Sequence, residues 1–295
     1  MQPMPAVHWF AKCGFSAGLL LLACGVATAW LGNGLQLPST TTRDGTLITL
    51  NRYVREPIPD VVLVGSSLTF RLREEYFTTP RVRNLALAGG SPVTGLEIVA
   101  NQAHLPEIIL IEANVLSRST DDALVAKYSR ADHVQPLFFR PIRTAVAAYE
   151  NRLHAPLSHA QISGSLHRLL ERPPSELDNR IYVDRALEQW NAEDPTVAVE
   201  ANVKRIKQLI PEIERKGSRV LLLELPCSAQ LEGSQFAKVT REIVHTAFPD
   251  RGQWLHIEYA RKQLRWADGV HLDERSAVIV AQSIDTALSS SRGSP

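Results

Sequence analysis

The chain has 295 residues, 44% hydrophobic and 21% charged, a composition that suits a packed globular protein and excludes wholesale disorder. Lys and Arg total 32 against 31 Asp and Glu, a formal net charge of +1, which argues against nucleic acid as an electrostatic partner. Up to Thr42 the only charged side chain is Lys12, so from Arg43 onward the chain carries no net charge.

The uncharged run Cys13 to Leu31 would reach about 28 Å as a helix, close to the hydrocarbon thickness of a bilayer. Trp9 and Trp30 flank it, where interfacial aromatics are favoured, and Lys12 precedes it. This pattern places the N-terminus in the cytoplasm and exports the rest. A signal-anchor helix is the first reading. A cleaved signal peptide is a second, since Ala27-Thr28-Ala29 has the A-x-A form. Leu21-Leu22-Ala23-Cys24 loosely resembles a lipobox. A buried core helix fits poorly, because the run has no polar face. Of the three cysteines, Cys13 and Cys24 belong to the leader. Cys227 alone remains, which allows no internal disulfide and no cysteine metal site.

Leu35 to Asn51, rich in Thr and Gly, reads as a tether. Asp60 to Gly65 is a short β-branched run typical of a buried parallel strand. A short helix over Leu68–Phe77 follows, then a strand from Val82 to Leu87 ending at Gly89-Gly90. Ser91-Pro92 suits the start of a helix as N-cap and first position. Glu107 to Ile111 is a third strand, and Val115 to Ser218 is mostly helical in pattern. Within it Val199, Val203, Ile206, Ile210 and Ile213 share one helix face. Pro211 is expected to kink that helix and Gly217 to end it. Arg219 to Leu225 is a fourth strand, and Trp254 to Ile257 a weak fifth. Asp273 can cap a last helix that aligns Val280, Ile284 and Leu288. Strands alternating with helices imply a parallel sheet covered on both faces, with ligands bound beyond the carboxyl ends of the strands.

The polar residues after each strand therefore fall on one rim. These are Ser66-Ser67, Gly89-Gly90, Asn114 and Asp268-Gly269-Val270-His271. A hydroxyl, an imidazole with a carboxylate, a backbone N–H and an amide are the parts needed for acyl transfer through a serine ester. No Gly-x-Ser-x-Gly elbow, phosphate-binding Gly-Lys pair or GxGxxG fingerprint is present.

These blocks resemble the SGNH (GDSL-like) hydrolases over about Asp60 to Leu288. Gly65-Ser66-Ser67 matches the first block, Asn84 with Gly89 the second, Asn114 the third, and Asp268 with His271 the last. Two of the blocks depart from the pattern. The Asp that usually precedes the nucleophile is Ser66, and Glu112 and Val115 flank the Ala113-Asn114 pair in place of the usual Gly and Asp. The resemblance implies an α/β, three-layer flavodoxin-like SGNH fold with a parallel five-stranded sheet, preceded by one N-terminal transmembrane helix. The expected division is a membrane segment at 1–34, a linker at 35–58 and an SGNH-like domain at 59–290, with a helical insertion at about 115–218.

Ser67 is the candidate nucleophile, although a serine after a strand also serves as a helix N-cap. His271 is the base and Asp268 its orienting carboxylate, which a plain Asp-Gly turn would also explain. The oxyanion hole is expected from the N–H of Gly89, with Gly90 the alternative if the register slips, from the Asn114 amide and, by the resemblance, from the Ser67 N–H. No cofactor or metal is called for. Phe138 and Phe139 could form an apolar lip, though core packing is the commoner reason for such residues.

The resemblance implies a membrane-anchored periplasmic serine esterase or O-acyltransferase. Its substrate would be acyl esters, such as acetyl esters, of an exported polysaccharide or cell-envelope glycan. A multipass membrane acyltransferase or polysaccharide synthase is the partner it implies. The alternative is a non-catalytic accessory subunit of a polysaccharide synthesis or export complex that keeps the fold.

Overall fold

Runs of Val, Ile and Leu set the strands. In the computed structural model, which describes residues 5–31, 41–79, 81–129 and 157–292, they become β1 (Val61–Val64), β2 (Val82–Asn84), β3 (Ile108–Glu112) and β4 (Arg219–Leu223). All pairings are parallel, in the order β2-β1-β3-β4. The expected fifth strand is reduced to one bridge, Leu222 with Trp254, where the Leu255 N–H donates to the Leu222 carbonyl at 2.8 Å. Of Trp254–Ile257 only Leu255 is fully buried, so little apolar surface drives further pairing.

The chain divides into two compact units, Met1–Glu56 with Val134–Leu157 and Pro57–His133 with Ser158–Pro295. The first holds α1 (Pro5–Leu31) and α2 (Thr42–Arg55). Val7–Val26 within α1 is long and apolar enough to cross a membrane, and none of it is buried; no other helix among the described residues qualifies. Residues 42–55, expected to be linker, are helical instead. Thr41 Oγ1 accepts from the Asp44 N–H at 3.1 Å. Asp44 in the first turn and Arg52 and Arg55 in the last oppose the helix dipole. Capping and charge outweigh the Thr- and Gly-rich composition. Phe138 and Phe139 lie outside the described residues.

The second unit carries the sheet and, in chain order, α3 (Ser67–Phe70), α4 (Pro92–Ala100), α5 (Asp122–Tyr128), α6 (His159–Glu171), α7 (Arg180–Ala192), α8 (Thr196–Arg215), α9 (Ala229–Glu232), α10 (Gln235–Ala247) and α11 (Glu274–Arg292). Alternate strand residues Val61, Leu63, Ile108, Leu110, Leu221 and Leu223 pack with Val278, Ala281, Ile284 and Leu288 of α11. On the opposite face α4 lies close enough that a Cβ on Gly95 would sit 3.3 Å from Val64 Cγ1, and α8 buries Val199, Val203, Ile206, Ile210 and Ile213. Helices therefore cover both sheet faces, which is why the strands are apolar throughout.

The helix boundaries follow the capping rules. Ser91 Oγ accepts from the Val93 N–H with Pro92 at the first position of α4. Asp273 accepts from the Ser276 N–H at 2.8 Å. Gly217 ends α8 with a φ of 90°. Pro211 lies within α8, which continues through it. The segment expected as one short helix is α3 and a separate 3-10 turn at Glu74–Tyr76.

Ile206 is fully buried beneath α8, so Ile206→Ala should cost about 2–5 kcal/mol. Denaturant unfolding of the full chain in detergent should show this as a lower midpoint with an unchanged slope.

Candidate active site

Three hydrogen-bonded side chains meet at the carboxyl end of the sheet. Ser67 opens α3 immediately beyond β1. Its Oγ lies 2.8 Å from His271 Nε2, and His271 Nδ1 lies 2.7 Å from Asp268 Oδ2. A carboxylate can only accept, so Nδ1 carries the ring proton and the bare Nε2 accepts from the Ser67 hydroxyl. Asp268 Oδ1 also accepts the N–H groups of His271 and Val270, at 2.7 and 3.1 Å. Burial alone would raise the Asp268 pKa. The hydrogen bonds from the His271 ring and backbone outweigh it and hold the carboxyl down at about 2. His271 remains 22% exposed, so solvent and substrate can reach the rim.

Each arm of this triad is braced by distant chain. Ser66 caps α3, its Oγ accepting from the Leu68 N–H at 3.2 Å. Asn84 Nδ2 donates to the carbonyls of Thr69 and Leu72, both at 2.7 Å, and its Oδ1 accepts from the Ala86 N–H. Asn84 thus fastens the turn that carries Ser67 to β2. On the other arm, Gly269 adopts a φ of 84°, and a Cβ there would meet Val183 Cγ2 of α7 at 2.7 Å. The Gly269 carbonyl accepts from the Ser228 N–H. Asn179 Nδ2 donates to the Trp266 carbonyl at 2.6 Å, and Trp266 Nε1 donates to the Pro226 carbonyl at 3.0 Å.

The other expected residues follow β2 and β3 at the carboxyl end of the sheet. Beyond β2 the Leu85 and Leu87 N–H groups donate to the Leu63 and Gly65 carbonyls. Gly89 lies two residues further on, in the turn that closes with the Gly90 N–H on the Leu87 carbonyl. Gly89 has a φ of 76°, and a Cβ there would meet nothing within 4 Å, so backbone conformation rather than space selects glycine. The Gly90 N–H is spent on the Leu87 carbonyl at 2.8 Å, which removes Gly90 as an oxyanion donor. Among the described residues neither the Ser67 nor the Gly89 N–H donates a hydrogen bond.

Asn114 follows β3 two residues beyond Glu112. Asn114 Oδ1 accepts from the Leu225 N–H at 2.7 Å and its Nδ2 donates to the Leu225 carbonyl at 2.9 Å. That pair fixes the amide and leaves one N–H of Nδ2 over.

Sequence reasoning assigned no role to Glu112, which is fully buried. Its carboxylate accepts from the Ser66 N–H at 2.8 Å and Ser66 Oγ at 2.7 Å. It also accepts from the Thr69 N–H at 3.2 Å and Thr69 Oγ1 at 2.6 Å. Burial pushes its pKa up, and the bonds from Thr69 and Ser66 pull against that. The available signal was an acidic residue closing the apolar run Ile108–Ile111.

No protein-family model matches this chain, and no curated protein matches it.

The Asp268 carboxyl is lowered on folding, so it stabilises the fold above the unfolded pKa, about 3.9, and that contribution is lost as pH falls toward 2. Asp268→Asn should remove this part of the acid limb. Chemical denaturation at steps between about pH 5 and 2 should show a shallower loss of stability for the variant than for the wild type.

Proposed function

We propose that the chain is a serine esterase or O-acyltransferase of the SGNH type. Its α1 helix anchors it in the cytoplasmic membrane with the α/β unit in the periplasm. Its substrate is an acyl ester, such as an acetyl ester, of an exported polysaccharide or cell-envelope glycan. The observation that carries the chemistry is the continuous hydrogen-bonded chain from Ser67 Oγ through the His271 ring to Asp268. A non-catalytic accessory subunit of a polysaccharide complex has no use for an imidazole held in this tautomer against a serine hydroxyl.

The steps follow from the positions of the groups. Ser67 Oγ bonds to the ester carbonyl carbon as its proton passes to His271 Nε2. The carbonyl oxygen becomes an oxyanion that accepts from the Ser67 and Gly89 N–H groups and from the remaining N–H of Asn114. Collapse breaks the bond to the alcohol oxygen, which takes the proton from His271 and leaves an acyl-serine. Water or a sugar hydroxyl then gives its proton to His271 and attacks the acyl carbon; collapse breaks the bond to Ser67 Oγ, which takes the proton back from His271 and is regenerated. Asp268 keeps the ring oriented and offsets the imidazolium charge in both halves. The same residues serve hydrolysis and transfer, because only the acceptor differs.

The apolar leader with Lys12 before it supports the anchor and its orientation. Tethering suits an enzyme working beside a membrane-borne export machine, and a multipass acyltransferase or polysaccharide synthase is the corresponding partner.

A fluorophosphonate probe should label the purified chain at Ser67. Ser67→Ala should abolish labelling, and Asn114→Ala should slow ester turnover by roughly 10²–10³-fold. Labelling is read by intact-mass spectrometry. A folded wild-type chain that takes up no probe would rule out the enzyme.

A further inference from the structure

Resting on the esterase or acyltransferase reading, we propose that Glu112 is the positioning residue of the nucleophile. Its buried carboxylate holds the Ser66–Thr69 turn and so aims Ser67 Oγ at His271 and the Ser67 N–H into the oxyanion site.

The geometry on either side of Ser67 is the ground for this. Ser66 commits both its N–H and its hydroxyl to Glu112, while its Oγ accepts from the Leu68 N–H. Thr69 commits its N–H and hydroxyl to Oε2 of the same carboxylate. The residues immediately before and two after Ser67 are thus pinned to one point at the end of β3. Ser67 itself makes no bond to Glu112. Its backbone has little freedom to rotate while both neighbours are held.

Gly65 is shaped to the same carboxylate. A Cβ there would collide with Thr69 Oγ1 and lie 2.8 Å from Glu112 Oε2. Glycine ends β1 because the clamp occupies the space a side chain would need.

An ionised carboxylate accepts from all four donors at once. A protonated one would turn a hydroxyl from donor to acceptor and loosen the turn. Among the described residues no Lys or Arg pairs with Glu112, so the four donors supply the compensation that a cation would otherwise provide. The two departures from the SGNH-like pattern, Ser66 and Glu112, are in direct contact. A carboxylate missing from the loop before the nucleophile is supplied from the neighbouring strand.

The test compares full-length wild type, Glu112→Gln and the double variant Ser66→Asp with Glu112→Gln. Fluorophosphonate labelling rates, p-nitrophenyl acetate kinetics and thermal melts are measured on each. An aspartate at 66 can accept the Leu68 and Thr69 N–H groups as an N-cap and return a carboxylate to the turn. Glu112→Gln should lower kcat and the labelling rate by roughly 10–100-fold with KM within about twofold. The double variant should recover most of kcat.

Wild-type kcat and labelling in a folded Glu112→Gln protein would overturn the positioning role alone. A drop that matches the fraction unfolded in the melt would overturn it too. An unlabelled, inactive wild type would instead sink the enzyme reading, and this inference with it. If Glu112→Gln does not fold, Thr69→Val removes one donor at nearly constant volume. That variant should lose about tenfold in kcat with KM unmoved, and a wild-type kcat in it would overturn the proposal.

Discussion

Everything at the rim depends on the parallel register of β1 with its two neighbours. Val61 pairs with Val82 on one side and Ile108 on the other, and the pairing holds to Val64 opposite Ile111. Because all strands run the same way, the segments that leave them emerge on one side. Ser67, Gly89 and Asn114 all follow strands at that end. A slip of one residue would turn every strand side chain to the opposite face and bury or expel the polar residues at the rim. Packing on both faces forbids such a slip: alternate residues of each strand meet α11, and α4 and α8 lie against the sheet's other face.

The second constraint is that catalytic-type geometry sits on short loops, which cannot hold it alone. The α3 turn has one helical turn of its own, and the Asp268–His271 loop has a single isolated bridge, Trp266 with Leu272. Both borrow rigidity from distant elements. Asn84 and Glu112 secure the first. Asn179 and Val183 of the helical insertion, together with Pro226 and Ser228 beyond β4, secure the second. The helices between β3 and β4 therefore act on the site without contributing a reacting group. Their contacts are with Trp266 and Gly269 of the segment that presents the imidazole.

The charge balance of the chain has a local counterpart here. Removing a carboxylate from water costs several kcal/mol, and Glu112 is wholly inside. Hydrogen bonds to a charged group return about 1.5–3 kcal/mol each, and four donors converge on it. The arrangement is viable because the donors belong to a tight turn whose N–H groups need acceptors in any case. Asp268 is the opposite situation, half-exposed and hydrogen-bonded, and its carboxyl goes down where that of Glu112 goes up.

The sequence by itself determined whatever depends on residue type and short spacing. Apolar runs gave β1, β3 and β4, the 3- and 4-residue repeat gave α8, and Ser91-Pro92 and Asp273 marked helix starts. Asp268 and His271 are three apart, so one turn brings carboxylate and ring together locally. What the tertiary structure decided involves groups far apart in the chain or the state of a particular N–H. Ser67 and His271 meet across 204 positions, and Ser66 and Glu112 across 46. Gly89 and Gly90 are indistinguishable as letters, and only the turn that uses up the Gly90 N–H separates them. The fifth strand shrank to one bridge and the tether became α2, because burial and capping at those positions overrode local composition. Short-range chemistry is written in the order of residues. Long-range hydrogen bonds exist only once the register of the sheet has brought their partners within 3 Å.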